Sequence, residues 1–464
     1  MRLIVVETAR SLWLDELTAE GTALPSRAAL QGDHQVDVAI VGAGFTGLWT
    51  AYYLAKLDPS LTVLVIEKTH VGFGASGRNG GWVVGELAAG IEKYAERSGI
   101  DESLRLTRAI FDAVDEVGRI VDSEAIDCGF AKGGVIRMAR NQPQLQRQIE
   151  EVAHHHELGI SDEEIRLLDK QETEAIINAT EILGGIMFAP CAAVDPARLV
   201  LGLATACEKA GVTIVERTAA ETIGPRQVVT ETGTINASVV VQATEAYTRD
   251  LKGQRRRLAP FYSRMIATEP LSEDVLAQIG LVDRPTFADD RHMVIYGQRT
   301  SDGRIAFGGR GVPYLYGSRI SPSMEVRPDS HRLVHEALVD LFPILADTKI
   351  THRWGGVLGV PRNWTPFIDY DRANGIATAG GYVGEGVAAA NLAGRTVADL
   401  ITDTDSERID LPWVAPASRS WEPEPLRWLG VRGSRRIMAR ADDIENRRGS
   451  EARLAMAISR WLRG

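Results

Sequence analysis

The sequence predicts an α/β fold joined to an antiparallel-β portion, and three observations carry that prediction. Residues 36–41 form an apolar run of buried-strand length that leads directly into Gly42-Ala43-Gly44-Phe45-Thr46-Gly47 and then a helical pattern. A second apolar run, 62–67, ends on an acid, Glu67, 20 residues beyond Gly47. Residues 258–311 alternate with the two-residue period of antiparallel strands and turn at Ser301-Asp302-Gly303. The expected architecture is a discontinuous Rossmann-like, dinucleotide-binding domain with a second, substrate-side domain built on a mixed antiparallel sheet.

The elements follow in order. An arm, 1–35, lacks a clear period and ends in the turn-like Gln31-Gly32-Asp33-His34. The helix after Gly47 closes near Asp58-Pro59, which completes a βαβ unit. From 92 to 124 the pattern is helical, and strands are expected at 133–139, 184–190, 212–217, 237–244 and 375–381. Helices are expected over the charged run 142–159, over 197–209 and over the small-residue run 387–402. The dinucleotide-binding domain is thus assigned 36–95, 195–250 and 352–402, and the second domain 96–194 and 251–351. Residues 403–464 read as a proline-led, basic helical tail, with ten Arg against four acids between 427 and 463.

Composition excludes several classes. The chain has 464 residues and 45 glycines, which are clustered, so a collagen-like repeat is excluded. A net charge of −10 is wrong for general nucleic-acid binding, which relies on Lys and Arg at phosphates. Cys128, Cys191 and Cys207 stand far apart, without metal-finger spacing, and fit neither a disulfide framework nor a zinc site. No metal site is expected: in His154-His155-His156, successive helical residues turn about 100° apart and cannot face one ion. No run reaches the ~18 apolar residues of a membrane span, the start is unlike a secretory signal, and a cytoplasmic location is expected.

The glycine motif has a physical reason at each position. Gly42 permits the tight turn, Gly44 lets the backbone approach a pyrophosphate, and Gly47 lets the helix pack close on the strand. The helix start supplies free N–H groups and partial positive charge, and Glu67 can accept hydrogen bonds from a ribose diol. This unit alone does not separate NAD from FAD. A second glycine-dense loop, 72–81, with Ser76, Arg78 and Asn79 before Trp82, suits a further approach to a longer cofactor.

Several stretches together carry a family resemblance: GAGFTGLWTAYYLA, GASGRNGG, AVDPARLVLGLATACEKAGVTIVERT, VVVQATEAYT, RRRLAPFYSRMIATEPL, HRWGGVLGV and GGYVGEGVAAANLAGRTVADLI. Over about residues 10–402 the chain resembles the D-amino-acid oxidase-like FAD-dependent oxidoreductases. It is most similar to the branch of gamma-glutamylputrescine oxidoreductase, glycine oxidase and sarcosine oxidase. The resemblance implies FAD held non-covalently, since 354–387 lacks the cysteine of covalent relatives. It implies that Gly42, Ala43, Gly44, Phe45, Thr46 and Gly47 hold the pyrophosphate, Glu67 the ribose and Lys68 the adenine side. Gly74, Ala75, Ser76, Arg78, Asn79, Gly80 and Gly81 would line the path to the flavin, with Ala220, Ala243 and Thr244 covering adenine and pyrophosphate. The segment Gly381, Tyr382, Val383, Gly384, Glu385, Gly386, Val387 would sit at the flavin's N1/O2 edge.

The implied reaction is oxidation of the C–N bond of a small amine or amino acid, by hydride transfer to flavin and hydrolysis of the imine. Substrate-side candidates are Arg78, Trp82, His292, Tyr296, Arg310, Trp354 and Glu385. Glu385 can attract a cationic amine and Arg310 can pair with a carboxylate. Each also has a plainer reading: His292 a strand-end residue, Trp354 core, Arg310 a bond to backbone carbonyls at a glycine turn. The sarcosine oxidases place a lysine near the flavin on the strand corresponding to 304–307, yet this chain has none between Lys252 and Lys349. The electron acceptor, O2 or another such as a quinone, is therefore left open, and a non-catalytic flavin-binding subunit is the rival of another class. The tail is expected to pack Leu426, Trp428, Leu429, Leu454 and Trp461 on the acidic body, with peripheral contact to an anionic membrane as the alternative.

Overall fold

The structure, a computed structural model, describes residues 11–21, 26–309, 314–452 and 457. Its frame is a pair of eight-stranded sheets. The first runs in the order Phe367–Asp371, Ile376–Gly380, Gly233–Gln242, His34–Val41, Val63–Ile66 and Thr213–Val215. Its four central pairings are parallel, and the Phe367–Asp371 edge is antiparallel. Strand Val63–Ile66 is buried throughout, the continuous apolar pattern of a parallel strand covered on both faces. A hairpin, Ala220–Gly224 and Gln227–Thr230, extends Gly233–Gln242 on its far end. The sequence pattern shows no sign of it, because these short half-exposed strands lack an apolar period.

The second sheet runs Ile350–Val360, Ala259–Thr268, Ile305–Gly309, Ile295–Arg299, Thr286–Asp289, Val135–Ala139, Gly184–Phe188 and Ile165–Leu168. Only Thr286–Asp289 and Val135–Ala139 pair in parallel. The assigned boundary at 352 falls inside Ile350–Val360, which pairs with Ala259–Thr268 from Ile350↔Thr268 to Val360↔Ala259. A two-stranded ribbon, Trp82–Val84 with Cys191–Ala193, stands apart from both sheets. The helical run expected over 92–124 is two helices, Gly90–Ser98 and Ile100–Ser123, broken at Gly99 with φ +84.

Helix Phe45–Leu57 follows the glycine motif and packs side by side with Gly386–Thr402. The small side chains of the second helix let Trp49, fully buried, fill the space between them. A Cβ on Gly394 would stand 2.5 Å from Trp49 Cβ and 2.8 Å from the Thr50 nitrogen.

The tail forms helix Leu426–Arg448 and docks with the sign opposite to expectation. Its acids, not its arginines, make the main bonds to the body. Asp442 accepts the His292 and Met293 amides at 2.7 and 2.9 Å, and Glu445 pairs with Arg147 and His292, each at 3.0 Å. Arg436, Arg440, Arg447 and Arg448 are exposed, while Arg427 is buried against Glu424 and the Tyr314 ring. Leu426 and Leu429 are exposed, against the expected packing, while Trp428 joins a small cluster around Trp421. Leu454 and Trp461 lie outside the described residues. No described helix is long and apolar enough to cross a membrane.

Gly394→Ala gains up to ~1 kcal/mol of helix propensity but forces a backbone-level overlap. A net destabilisation of about 1–2 kcal/mol is expected, given the usual cost of overpacking, and a urea unfolding curve measures it.

Candidate active site

A cleft of ≈ 470 Å³ opens at the carboxyl ends of the parallel strands. Such a crevice is where open α/β sheets bind their ligands. Gly42, Gly44, Phe45 and Thr46 line it on one side, Glu67 and Lys68 on another, and Gly74, Ala75 and Ser76 on a third. Ala220, Ala243 and Thr244 close it. These twelve come from five separate segments, and the structure brings them together.

Ala43 and Gly47 lie beneath the cleft. A Cβ on residue 47 would fall 2.0 Å from the Gly42 carbonyl oxygen, and one on Gly42 would fall 2.5 Å from the Ala243 oxygen. The absence of both side chains brings the helix start onto two strand ends. No side chain caps that helix at Gly44, although Phe45 N–H donates to Ser76 Oγ at 2.9 Å. Glu67 accepts from Ala43 N–H at 3.0 Å and Thr69 N–H at 2.9 Å, and burial pushes its carboxyl up against those bonds. Lys68 is exposed, 3.7 Å from Asp250.

The closing segment reaches the same place from the other end of the chain. Tyr382 hydroxyl bonds Thr46 Oγ1 at 3.0 Å, tying this segment to the first helix start. Val383 holds φ +58, a strained value for a β-branched residue, at the turn into helix Gly386–Thr402. Glu385 occupies the N-cap position, but its side chain makes no capping bond. Two helix N-termini without side-chain caps thus converge near one cleft.

The second glycine loop is clamped. Asn79 folds onto Ala75 and Ser76 carbonyls and accepts Gly81 N–H. Trp13 and Trp354 indoles donate to the Asn79 and Arg78 carbonyls, each at 2.9 Å, so the arm's helix Leu12–Ala19 helps fix the loop. Trp354 is fully buried and acts on the loop from behind. A Cβ on Gly80 would meet the Tyr296 ring at 2.7 Å, which gives this glycine a packing reason against the second sheet. Trp82 stacks edge-on to Tyr296 at 6.0 Å, and Tyr296 hydroxyl bonds Ser263 at 2.7 Å.

Arg78 is 5% exposed and committed: it donates to Phe73 O at 2.9 Å and to Glu325 Oε2 at 2.9 Å. It is a buried ion pair and a loop anchor. His292 is drawn away to the tail helix at Glu445. Arg310 lies outside the described residues. The three consecutive histidines take three different partners: Glu92, Glu151 O and Ile165 O.

Two residues of the site were not legible in the sequence. Glu325 stands 247 residues from its partner Arg78, and no local pattern links them. Glu245 lines the cleft with φ +41. Its Oε1 accepts the Gly381 and Tyr382 amides at 3.2 and 3.4 Å, while Oε2, buried, has no partner. The signal available was an acid directly after the strand end Ala243-Thr244, where a small residue suits such a backbone.

A parallel sheet with a glycine motif, a helix start without a side-chain cap and Glu67 at its crevice defines a dinucleotide-binding fold. Residues 37–400 match the family model described as FAD dependent oxidoreductase, DAO, and the chain belongs to that family. It is 31% identical over 379 residues to gamma-glutamylputrescine oxidoreductase of Escherichia coli, covering 81% of this chain and 85% of that one. A probable oxidoreductase OrdL of Haemophilus influenzae is 30% identical over 385 residues, 81% of this chain and 84% of the other. Among solved structures, glycine oxidase from Geobacillus kaustophilus shares the fold at a TM-score of 0.68 and 20% identity, over 84% of this chain and 100% of that one.

The residues present fit FAD. The cleft has a floor free of Cβ atoms at Gly42 and Gly47, two uncapped helix starts and an orphaned buried oxygen on Glu245.

Two outcomes follow. Burial pushes Glu245 from 4.5 to about 7. Its raised value means that its contribution to stability is fully present below pH 4.5 and lost as pH rises through 7. Glu245→Gln cannot ionise, so its melting advantage over the parent should grow across that window, approaching ~2–3 kcal/mol; a flat difference in thermal melts refutes this. Glu325→Ala removes the carboxylate from a buried ion pair with Arg78, and a loss of about 3–5 kcal/mol is expected in denaturant unfolding.

Proposed function

We propose that the chain oxidises the C–N bond of an amine or amino acid, using FAD held non-covalently along the cleft. The observation that carries this reading is the match to the E. coli gamma-glutamylputrescine oxidoreductase across most of both chains. Similarity to sarcosine oxidase subunit beta of Arthrobacter, 25% identical over 394 residues, points the same way. When bound, FAD supplies the two-electron acceptor for the reaction.

The chain's own residues have positioning roles. The backbone around Gly42–Gly47 and the helix start would hold the pyrophosphate, Glu67 would accept from the ribose, and Ser76 would line the phosphate path. The start of helix Gly386–Thr402, without a side-chain cap, would offer partial positive charge to a bound flavin. Trp82 and Tyr296 form an aromatic wall on the substrate side, and Glu385 offers a charge for a cationic amine. Arg78 acts through the loop it anchors. Non-covalent attachment is supported by the cysteines: all three are buried as free thiols, with none in 354–387.

Oxygen is the favoured acceptor by resemblance, but one observation favours a dehydrogenase. Strand Ile305–Gly309 carries no cation, and Arg304 at its foot is paired with Glu16 and Asp302. Anaerobic mixing with amines and amino acids is expected to bleach the visible flavin absorbance. Recovery of the colour on admitting air marks an oxidase, and persistence marks a dehydrogenase. A purified protein that takes up no FAD, or is bleached by no amine or amino acid, overturns the reading.

A further inference from the structure

The tail helix Leu426–Arg448 meets the body by one side and leaves the opposite side uncovered. Leu426 and Leu429 are 61% and 55% exposed. Gly433, Arg436 and Arg440 follow at alternating four- and three-residue steps, which keeps all five positions on one face of the helix. The stripe is apolar at its start and basic further on, and it spans about 21 Å at 1.5 Å per residue.

Two loops of the body continue the same surface. Glu424, just before the helix, accepts the Tyr314 hydroxyl and the Gly317 amide, each at 2.9 Å, and so seats loop 314–319 against the helix start. Arg255 donates to Gly317 O at 3.0 Å, and Arg256 O accepts the Trp421 amide at 2.8 Å, which holds loop 252–256 beside both. Tyr316, 52% exposed, joins Leu426 and Leu429 as a third uncovered ring or aliphatic side chain.

The charge around this crest is positive. Lys252, Arg256, Arg319, Arg436 and Arg440 are exposed and make no ion pair among the described residues. The two loops contain no acid, and the acids of the tail are already used. Glu422 pairs with Arg362, Glu424 with Arg427 and Asp443 with Arg447, while Asp442 and Glu445 bond the body. A surface that is anionic outside and apolar beneath satisfies both features at once. In an anionic bilayer the headgroup phosphates take the cations, whose stems lie along apolar surface, while Leu and Tyr side chains reach the acyl boundary. An acidic chain or a nucleic acid would engage the cations alone, so the three exposed apolar side chains favour the bilayer.

We propose that this face seats the protein on an anionic membrane surface, with Leu426, Leu429 and Tyr316 entering the headgroup layer and helix Leu426–Arg448 lying along it. The loop that carries Tyr316 continues into the wall of the cofactor cleft at Ile320 and Pro322, so the docking face borders the cleft. Docking requires no particular reaction there and stands or falls separately from the amine-oxidising reading.

The test sediments the full chain with vesicles of phosphatidylcholine alone and of phosphatidylcholine mixed equally with phosphatidylglycerol. The parent is expected to bind the anionic vesicles about tenfold or more tighter than the neutral ones, and high salt should remove most of that difference. Leu426→Ser combined with Leu429→Ser should weaken anionic binding about tenfold, and Arg436→Glu combined with Arg440→Glu at least as much. Tyr316→Ser, on a separate loop, should weaken it about threefold without touching the helix. All five side chains are exposed, so thermal melts of the variants should match the parent. Equal, negligible sedimentation with both kinds of vesicle overturns the proposal. Anionic binding undiminished by the leucine and tyrosine variants also overturns it, as does capture by soluble polyglutamate as tight as by the anionic vesicles, which would assign the face to an acidic protein.

Discussion

A carbonyl and a missing side chain set the geometry on which this protein depends. The Gly42 oxygen stands where a Cβ of residue 47 would be, at 2.0 Å, and the Ala243 oxygen crowds Gly42 from the neighbouring strand at 2.5 Å. Because nothing fills that space, helix Phe45–Leu57 starts directly above two strand ends. Its first turn therefore faces the crevice, with Phe45 N–H held by Ser76 Oγ, and the partial positive charge of the helix start favours anionic phosphate there. The same close approach recurs where Gly394 meets Trp49, so the two helices whose starts converge on the cleft are also locked to each other along their length.

Around that contact the site is held mainly by backbone. Tyr382 bonds Thr46, Glu245 receives the amides of the closing segment, and the arm's Trp13 and the second sheet's Trp354 hold carbonyls of the second glycine loop. Side chains with apparent chemical promise turn out to have structural duties. Arg78 is neutralised by Glu325, and His292 fastens the tail helix.

Legibility followed sequence distance. The βαβ unit, its glycines and Glu67 lie within one stretch, and each has a local physical reason, so the strand, helix and acid were readable in order. The segments 220, 243–244 and 381–387 were placed at the cofactor by resemblance to a family. Their convergence on the cleft, or onto Thr46, is a tertiary fact. The break at Gly99 and the hairpin at 220–230 were missed because neither interrupts or creates an apolar period.

By itself the sequence determined the fold class, the dinucleotide motif and the absence of a lysine on the strand near 304–307, since these depend on residue type and short spacing. Only the tertiary structure decided which charges are free. Arg78 and Glu325 are separated by 247 residues, and the tail helix meets the body through the acids Asp442 and Glu445. Asp290 is shared by Arg137 and Arg147, which stand on a strand and a helix of different register. Pairing of charges is a property of positions in space, and spacing along a chain carries no record of it.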